Sequence, residues 1–123
     1  MKQYFLLLDD VRNTNQVFEY TNQKVFLTHN WTIVKTYQEF ITCIIDKGLP
    51  EFISFDHDLG ELSIINGEEK SGYDCAKWLI DYCITNQLIL PAYFCHSMNP
   101  VGKANIQGLL NNYAKFCLKS AQS

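Results

Sequence analysis

The stretch FISFDHDLG, residues 52–60, decides the fold. Phe52 to Phe55 form a short run, apolar but for Ser54, that stops abruptly at Asp56-His57-Asp58. A run of that length between polar segments reads as a strand buried on both faces, which is the mark of a parallel sheet. Residues 3–8 (QYFLLL) have the same form and also end on acids, Asp9 and Asp10. Burial penalises charge most at such strand ends. Acids gathered there point to chemistry rather than to solubility.

Working outward, residues 31–36 (WTIVKT) alternate and are rich in β-branched side chains, so they read as another strand. Tyr37, Phe40, Ile41, Ile44 and Ile45 follow at helical spacing, and Gly48 with Pro50 closes that helix. Ala76, Leu79, Ile80, Cys83 and Ile84 give a second helix, opened near Gly72. Residues 91–96 (PAYFCH) read as a fourth strand. Ile106, Leu109, Leu110, Tyr113 and Cys117 mark a last helix, with Pro100 near its first turn. Strands alternating with helices imply right-handed βαβ units and an α/β fold with a parallel sheet covered on both faces. Two segments stay open. Residues 13–30 fit a short helix, a hairpin or an irregular connection, and loop 60–71 has the length and glycines of a mobile flap.

The 123 residues suffice for a single domain, 1–123, with a real core. Apolar content of 47% and charged content of 19% are those of a globular chain. A net charge of −3 argues against coating duplex nucleic acid, though not against gripping a nucleotide or an RNA end at one point. No apolar run reaches the roughly 20 residues of a membrane span. The first ten residues lack the pattern of a signal peptide, and five cysteines, odd in number and without CxxC spacing, read as reduced core residues. A cytoplasmic location is expected.

In open α/β sheets the ligand crevice lies beyond the carboxyl ends of the strands. Three of the four expected strands end there in capable groups: Asp9-Asp10, Asp56-His57-Asp58 and His96-Ser97. Each alone has a bland reading, as turn, loop or cap chemistry. Their coincidence does not. Four carboxylates at one edge repel unless a cation offsets them, so Asp9, Asp10, Asp56 and Asp58 are candidate ligands for Mg²⁺ or Mn²⁺, with Zn²⁺ admitted by the two histidines. Arg12, the only arginine, sits two residues beyond Asp10, and Lys103 lies in the first turn of the last helix. With Ser97 and Asn99 they are candidates for holding a phosphate at that helix start.

The segments LDDVR, ISFDHDLG, SGYDCAKWL and HSMNPVGKANI, in that order, resemble the cyclic-phosphate processing receiver domain family over about residues 4–118. That resemblance implies a receiver-like, flavodoxin-like three-layer sandwich with strand order 2-1-3-4. By the same likeness Asp9 and Asp10 match the receiver's acidic pair, Asp56 its phosphoacceptor and Ser97 its hydroxyl. The fifth receiver strand, with its lysine, is missing here. His57, Asp58 and His96 are additions that phosphoacceptor chemistry does not need.

The leading expectation is therefore a metal-dependent phosphoesterase acting on a cyclic phosphate of a nucleotide, ADP-ribose or RNA-repair product. His57 and His96 are the candidate acid and base, and Asp56 a candidate nucleophile. The alternatives are sequestering a phosphorylated nucleotide without turnover, or a phosphoaccepting regulator.

Overall fold

A computed structural model describes residues 3–60 and 63–122. Four short parallel strands, β1 (Phe5–Leu8), β2 (Trp31–Val34), β3 (Phe52–Phe55) and β6 (Ala92–Cys95), form one sheet in the order β2-β1-β3-β6. This is the expected flavodoxin-like order, with an edge at β6 where a fifth receiver strand would pair. Helices α2 (Tyr37–Lys47), α3 (Gly72–Asn86) and α4 (Pro100–Gln122) follow β2, the β3 loop and β6. Each helix begins where local chemistry dictates. Thr36 caps α2 through Glu39 N–H, and Ser71 with Asp74 forms a reciprocal capping box for α3.

Period-two alternation sorts the sheet's side chains into two cores. Leu6, Leu8, Ile53, Phe55 and Cys95 face α2, α3 and α4, where Phe40, Ile44, Leu79, Ile106 and Leu110 meet them, all buried. Leu7 and Phe94 face the other way, onto Val17 and Phe26. Those two residues come from the segment left open by the sequence. It folds as helix α1 (Thr14–Thr21) followed by a 3₁₀ turn over Lys24–Leu27. Asn13 and Gln16 close a capping box at its start, so the helix wins over a hairpin.

Loop 60–71 also has structure of its own. Strands β4 (Ile64–Ile65) and β5 (Glu68–Glu69) pair antiparallel across Asn66-Gly67. Both turn residues have positive φ, 52° and 81°, the combination that a two-residue hairpin requires and Asn-Gly supplies. Residues 61 and 62 of the expected flap lie outside the described residues. The five cysteines are free: Cys75, Cys83 and Cys95 are buried, Cys43 is half-buried and Cys117 exposed. Among the described residues no helix is long and apolar enough to cross a membrane.

Candidate functional site: an acidic crevice at the strand ends

The sheet's register sets the height of the site. Leu8 pairs with Val34 and with Phe55, and Phe55 with Cys95, so the strands end level. One residue further on, each N–H still donates to a neighbouring strand: Asp9 to Val34 O at 3.0 Å, Asp56 to Leu8 O at 2.9 Å, His96 to Phe55 O at 3.0 Å. The ladder thus fixes Asp9, Asp56 and His96 in one row. They share the parity of Leu7, Ser54 and Phe94, which puts all three on the α1 side of the sheet.

On that side His96 is sandwiched. Its Nε2 lies 2.9 Å from Asp9 Oδ2 and its Nδ1 2.6 Å from Ser54 Oγ. With Ser54 donating to Nδ1, the ring proton sits on Nε2 and points at Asp9. Asp9 Oδ1 also accepts from the N–H groups of Val11 and Arg12, at 2.9 and 2.8 Å. Burial would raise the Asp9 pKa, but the bonds from His96, Val11 and Arg12 outweigh it and hold the carboxyl below its usual range. The Arg12 guanidinium adds an ion pair at 3.6 Å.

Asp56 has less support. Its carboxylate accepts from His57 N–H at 2.9 Å, yet burial, and then the charge of Asp9, pushes its pKa up to about 6. Burial likewise raises Asp10, with Asp9 and Asp58 adding to the effect. Asp10, Asp56, Asp58 and Glu69 line a crevice of about 450 Å³, closed on other sides by Arg12, Ser97, Met98 and Asn99. Ligating atoms of Asp9, Asp56 and His96 lie within 4.8 Å of one another, so these three form a cluster able to hold a metal ion.

The donor set fits a hard divalent cation. Burial, and after it the neighbouring Asp9 carboxylate, raises the pKa of Asp10 and of Asp56, a penalty on their charged forms that a bound cation would relieve. Asp9 and His96 are already bonded to each other, however, so the open lip at Asp10, Asp56 and Asp58 is the more accessible side of the set.

The sequence matches the family described as the cyclic-phosphate processing receiver domain over residues 4–112. The chain belongs to that family. No curated protein matches it. Among solved structures, a fusion of the yeast Spc42 trimeric coiled coil (amino acids 181–211) to another protein is similar in fold, with a TM-score of 0.52 at 17% identity. The alignment covers 89% of this chain and 63% of that one.

Within this receiver domain the expected site residues divide. Asp9, Asp10, Asp56, Asp58, Arg12, Ser97 and Asn99 converge on the crevice or directly behind it. His57 has the opposite parity to Asp56, and its ring packs against Gly102 in the first turn of α4. Its Nδ1 contacts Asp58 Oδ1 at 3.0 Å, and it is not among the residues lining the crevice. Lys103 also lies outside the crevice wall; it lines an adjoining cavity, its Nζ 5.9 Å from the Phe94 ring centroid. The N-terminus of α4 is largely self-satisfied. Asn99 accepts from Gly102 N–H through Oδ1 and from Lys103 N–H through its carbonyl, which leaves fewer orphan donors for an anion than Pro100 alone suggests.

Three contributors escaped the sequence reading. Tyr20 donates from its hydroxyl to His96 O at 2.6 Å, and the Arg12 guanidinium lies 5.2 Å over its ring. Burial holds the Tyr20 pKa at about 12, so it stays a donor. Met98 accepts from Arg12 at 3.3 Å. Ser54 was legible in principle, as the one polar residue inside an apolar strand.

Proposed function

We propose that this receiver domain is a metal-dependent phosphoesterase that opens a cyclic phosphate on a nucleotide, ADP-ribose or RNA-repair product. One observation carries the reading: three carboxylates, Asp10, Asp56 and Asp58, share a crevice with the guanidinium of Arg12 and the polar side chains of Ser97 and Asn99. Carboxylates alone would repel a phosphate. Joined by a cation, they receive one, and Arg12 supplies donors for its oxygens.

Asp10 and Asp56 would hold the ion at the lip, with Asp9 and His96 behind them. A bound Mg²⁺ or Mn²⁺ would polarise the phosphoryl group and lower the pKa of a water. Arg12, fixed by Asp9, Met98 and the Tyr20 ring, would donate to charge building on the phosphoryl oxygens. The Ser97 hydroxyl accepts from Asn99 N–H at 3.1 Å and so keeps its own proton for the ligand. His96, its Nδ1 occupied by the buried Ser54 hydroxyl, would hold the Asp9 carboxylate in place through Nε2–H. His57 would act as a positioning residue, setting Asp58 from one side while Asn99 Nδ2 reaches its other oxygen at 3.4 Å.

A second reading, sequestering without turnover, is favoured by the engagement of both His96 ring nitrogens. A product assay separates the two. Wild type and Asp56→Asn are incubated with 2′,3′-cyclic, 3′,5′-cyclic and ADP-ribose cyclic phosphates under Mg²⁺ or Mn²⁺. Ring-opened product from wild type alone supports hydrolysis; tight binding without product supports sequestering. Neither binding nor product from any compound rejects both.

A further inference from the structure

The acidic crevice has a neighbour. Ser97 and Met98, which form one of its walls, also line a second cavity of about 490 Å³ on the α1 side of β6. The chemistry of the two is opposite. The crevice is lined by four carboxylates and one guanidinium, whereas the second cavity contains no carboxylate and one ammonium group, that of Lys103.

Lys103 has no carboxylate partner among the described residues. Its ammonium is held over the Phe94 ring, at the first turn of α4, where a cation opposes the helix dipole. A positive charge placed there without a counterion, in a cavity, is set up to receive an anion. Beside it stands Gln23, whose side-chain amide can donate to phosphate oxygens; the Thr21 hydroxyl already donates to Val17 O at 2.8 Å and only shapes the wall. The dividing wall is fixed. Arg12 ties Met98 to Asp9, and the Tyr20 hydroxyl ties α1 to His96 O.

We infer that the second cavity is a subsite for a separate, non-cyclic phosphate, so that the preferred substrate is a nucleotide bearing a cyclic phosphate and a second phosphate elsewhere. The inference rests on the cyclic-phosphate reading of the crevice and adds the substrate class. Arg12 and Lys103 then serve two phosphates, not one. The wall shared through Ser97 and Met98 sets the two groups in adjacent cavities, as a single small ligand spanning both would need.

The test uses a nucleoside 2′,3′-cyclic phosphate with and without a 5′-phosphate, against wild type, Lys103→Gln and Lys103→Arg. Calorimetric binding and steady-state turnover are both read, with divalent metal present. Wild type should favour the 5′-phosphorylated compound by about tenfold to a hundredfold in Kd or KM, the worth of one charge-assisted contact. Lys103→Gln should erase that preference with kcat little changed, and Lys103→Arg should restore most of it. Equal loss for both compounds in Lys103→Gln would place the lysine on the cyclic phosphate and overturn the inference, as would the absence of any preference in wild type. The two proposals fail separately. A Lys103-dependent preference in binding without any product removes the hydrolytic reading and keeps the subsite; turnover without preference does the reverse.

Discussion

His96 Nε2 lies 2.9 Å from Asp9 Oδ2, with both side chains fully buried. This pair joins the end of β6 to the end of β1 across β3, so it is structural as well as chemical. His96→Ala would leave the Asp9 carboxylate buried without its strongest hydrogen bond, beside a new cavity. A stability loss of about 3 kcal/mol is expected, measured by denaturant unfolding at neutral pH. The pH profile should change too. Because the folded Asp9 pKa is lowered, its contribution is present above the unfolded value of 3.8 and is lost as pH falls through the folded value. Without His96 that acid-side dependence should shrink. His57→Ala, which removes a partly exposed contact, should cost about 1 kcal/mol or less.

Asp56 titrates with the opposite sign. Its folded pKa is raised from 3.8 to about 6, so the folded state binds the proton more tightly. The stability gained from that proton is complete below 3.8 and is lost as pH rises through about 6. At pH 7 without divalent metal the buried charge costs of the order of 3 kcal/mol. Asp56→Asn should therefore raise the melting temperature of the chelated protein by about 10 °C at neutral pH, and by much less near pH 4. Added Mg²⁺ or Mn²⁺ should stabilise wild type and leave Asp56→Asn nearly unmoved. Equal melting temperatures for the two chelated proteins at pH 7 would contradict the electrostatic account of Asp56.

The N-terminus of α3 closes directly on this carboxylate's backbone. Gly72 N–H donates to His57 O at 2.7 Å, and a Cβ at Gly72 would fall on the Asp56 carbonyl oxygen. Backbone, unlike a side-chain tip, has nowhere to retreat. Gly72→Ala should cost about 2–4 kcal/mol and weaken metal binding along with stability, because the β3 end must shift. Thermal unfolding with and without metal measures both. An unchanged melting temperature would show that α3 is not seated as described.

Much of this was legible in the chain, and the reasons differ by element. The runs QYFLLL and FISF each end on acids, and strand register alone then brings Asp9 and Asp56 together, so the site's core followed from its strands. Region 13–30 resisted because α1 is only eight residues long and buries one of them fully, Val17; its capping box at Asn13 and Gln16 was the missed signal. Asn66-Gly67 likewise marks a hairpin that loop length alone concealed. The roles of the two histidines needed three dimensions. Parity separates His57 from Asp56, but only the packing of α4 shows where the ring goes. Lys103 was assigned by its place in the first turn, which fixes its height and not the side of the sheet it serves.

The seat of His57 offers the sharpest separation of position from chemistry. Its ring rests on Gly102, and a Cβ there would overlap the ring's Cγ and Cδ2 atoms. The ring can swing away, but His57 Cβ, 2.8 Å from that position, is fixed by the backbone and must shift with it. Gly102→Ala should therefore cost about 1–3 kcal/mol, offset in part by alanine's better helix propensity. It should also expel the His57 ring from its place beside Asp58. If His57 works by setting Asp58, Gly102→Ala and His57→Ala should impair turnover by similar factors, and combining them should add little further loss. A His57 that instead handles protons itself, by reaching the crevice when ligand binds, predicts a different pattern: His57→Ala should then cost about 10²–10⁴-fold and Gly102→Ala far less, since the displaced ring stays available. Turnover of the single and double variants, with unfolding curves as the control for folding, distinguishes the two.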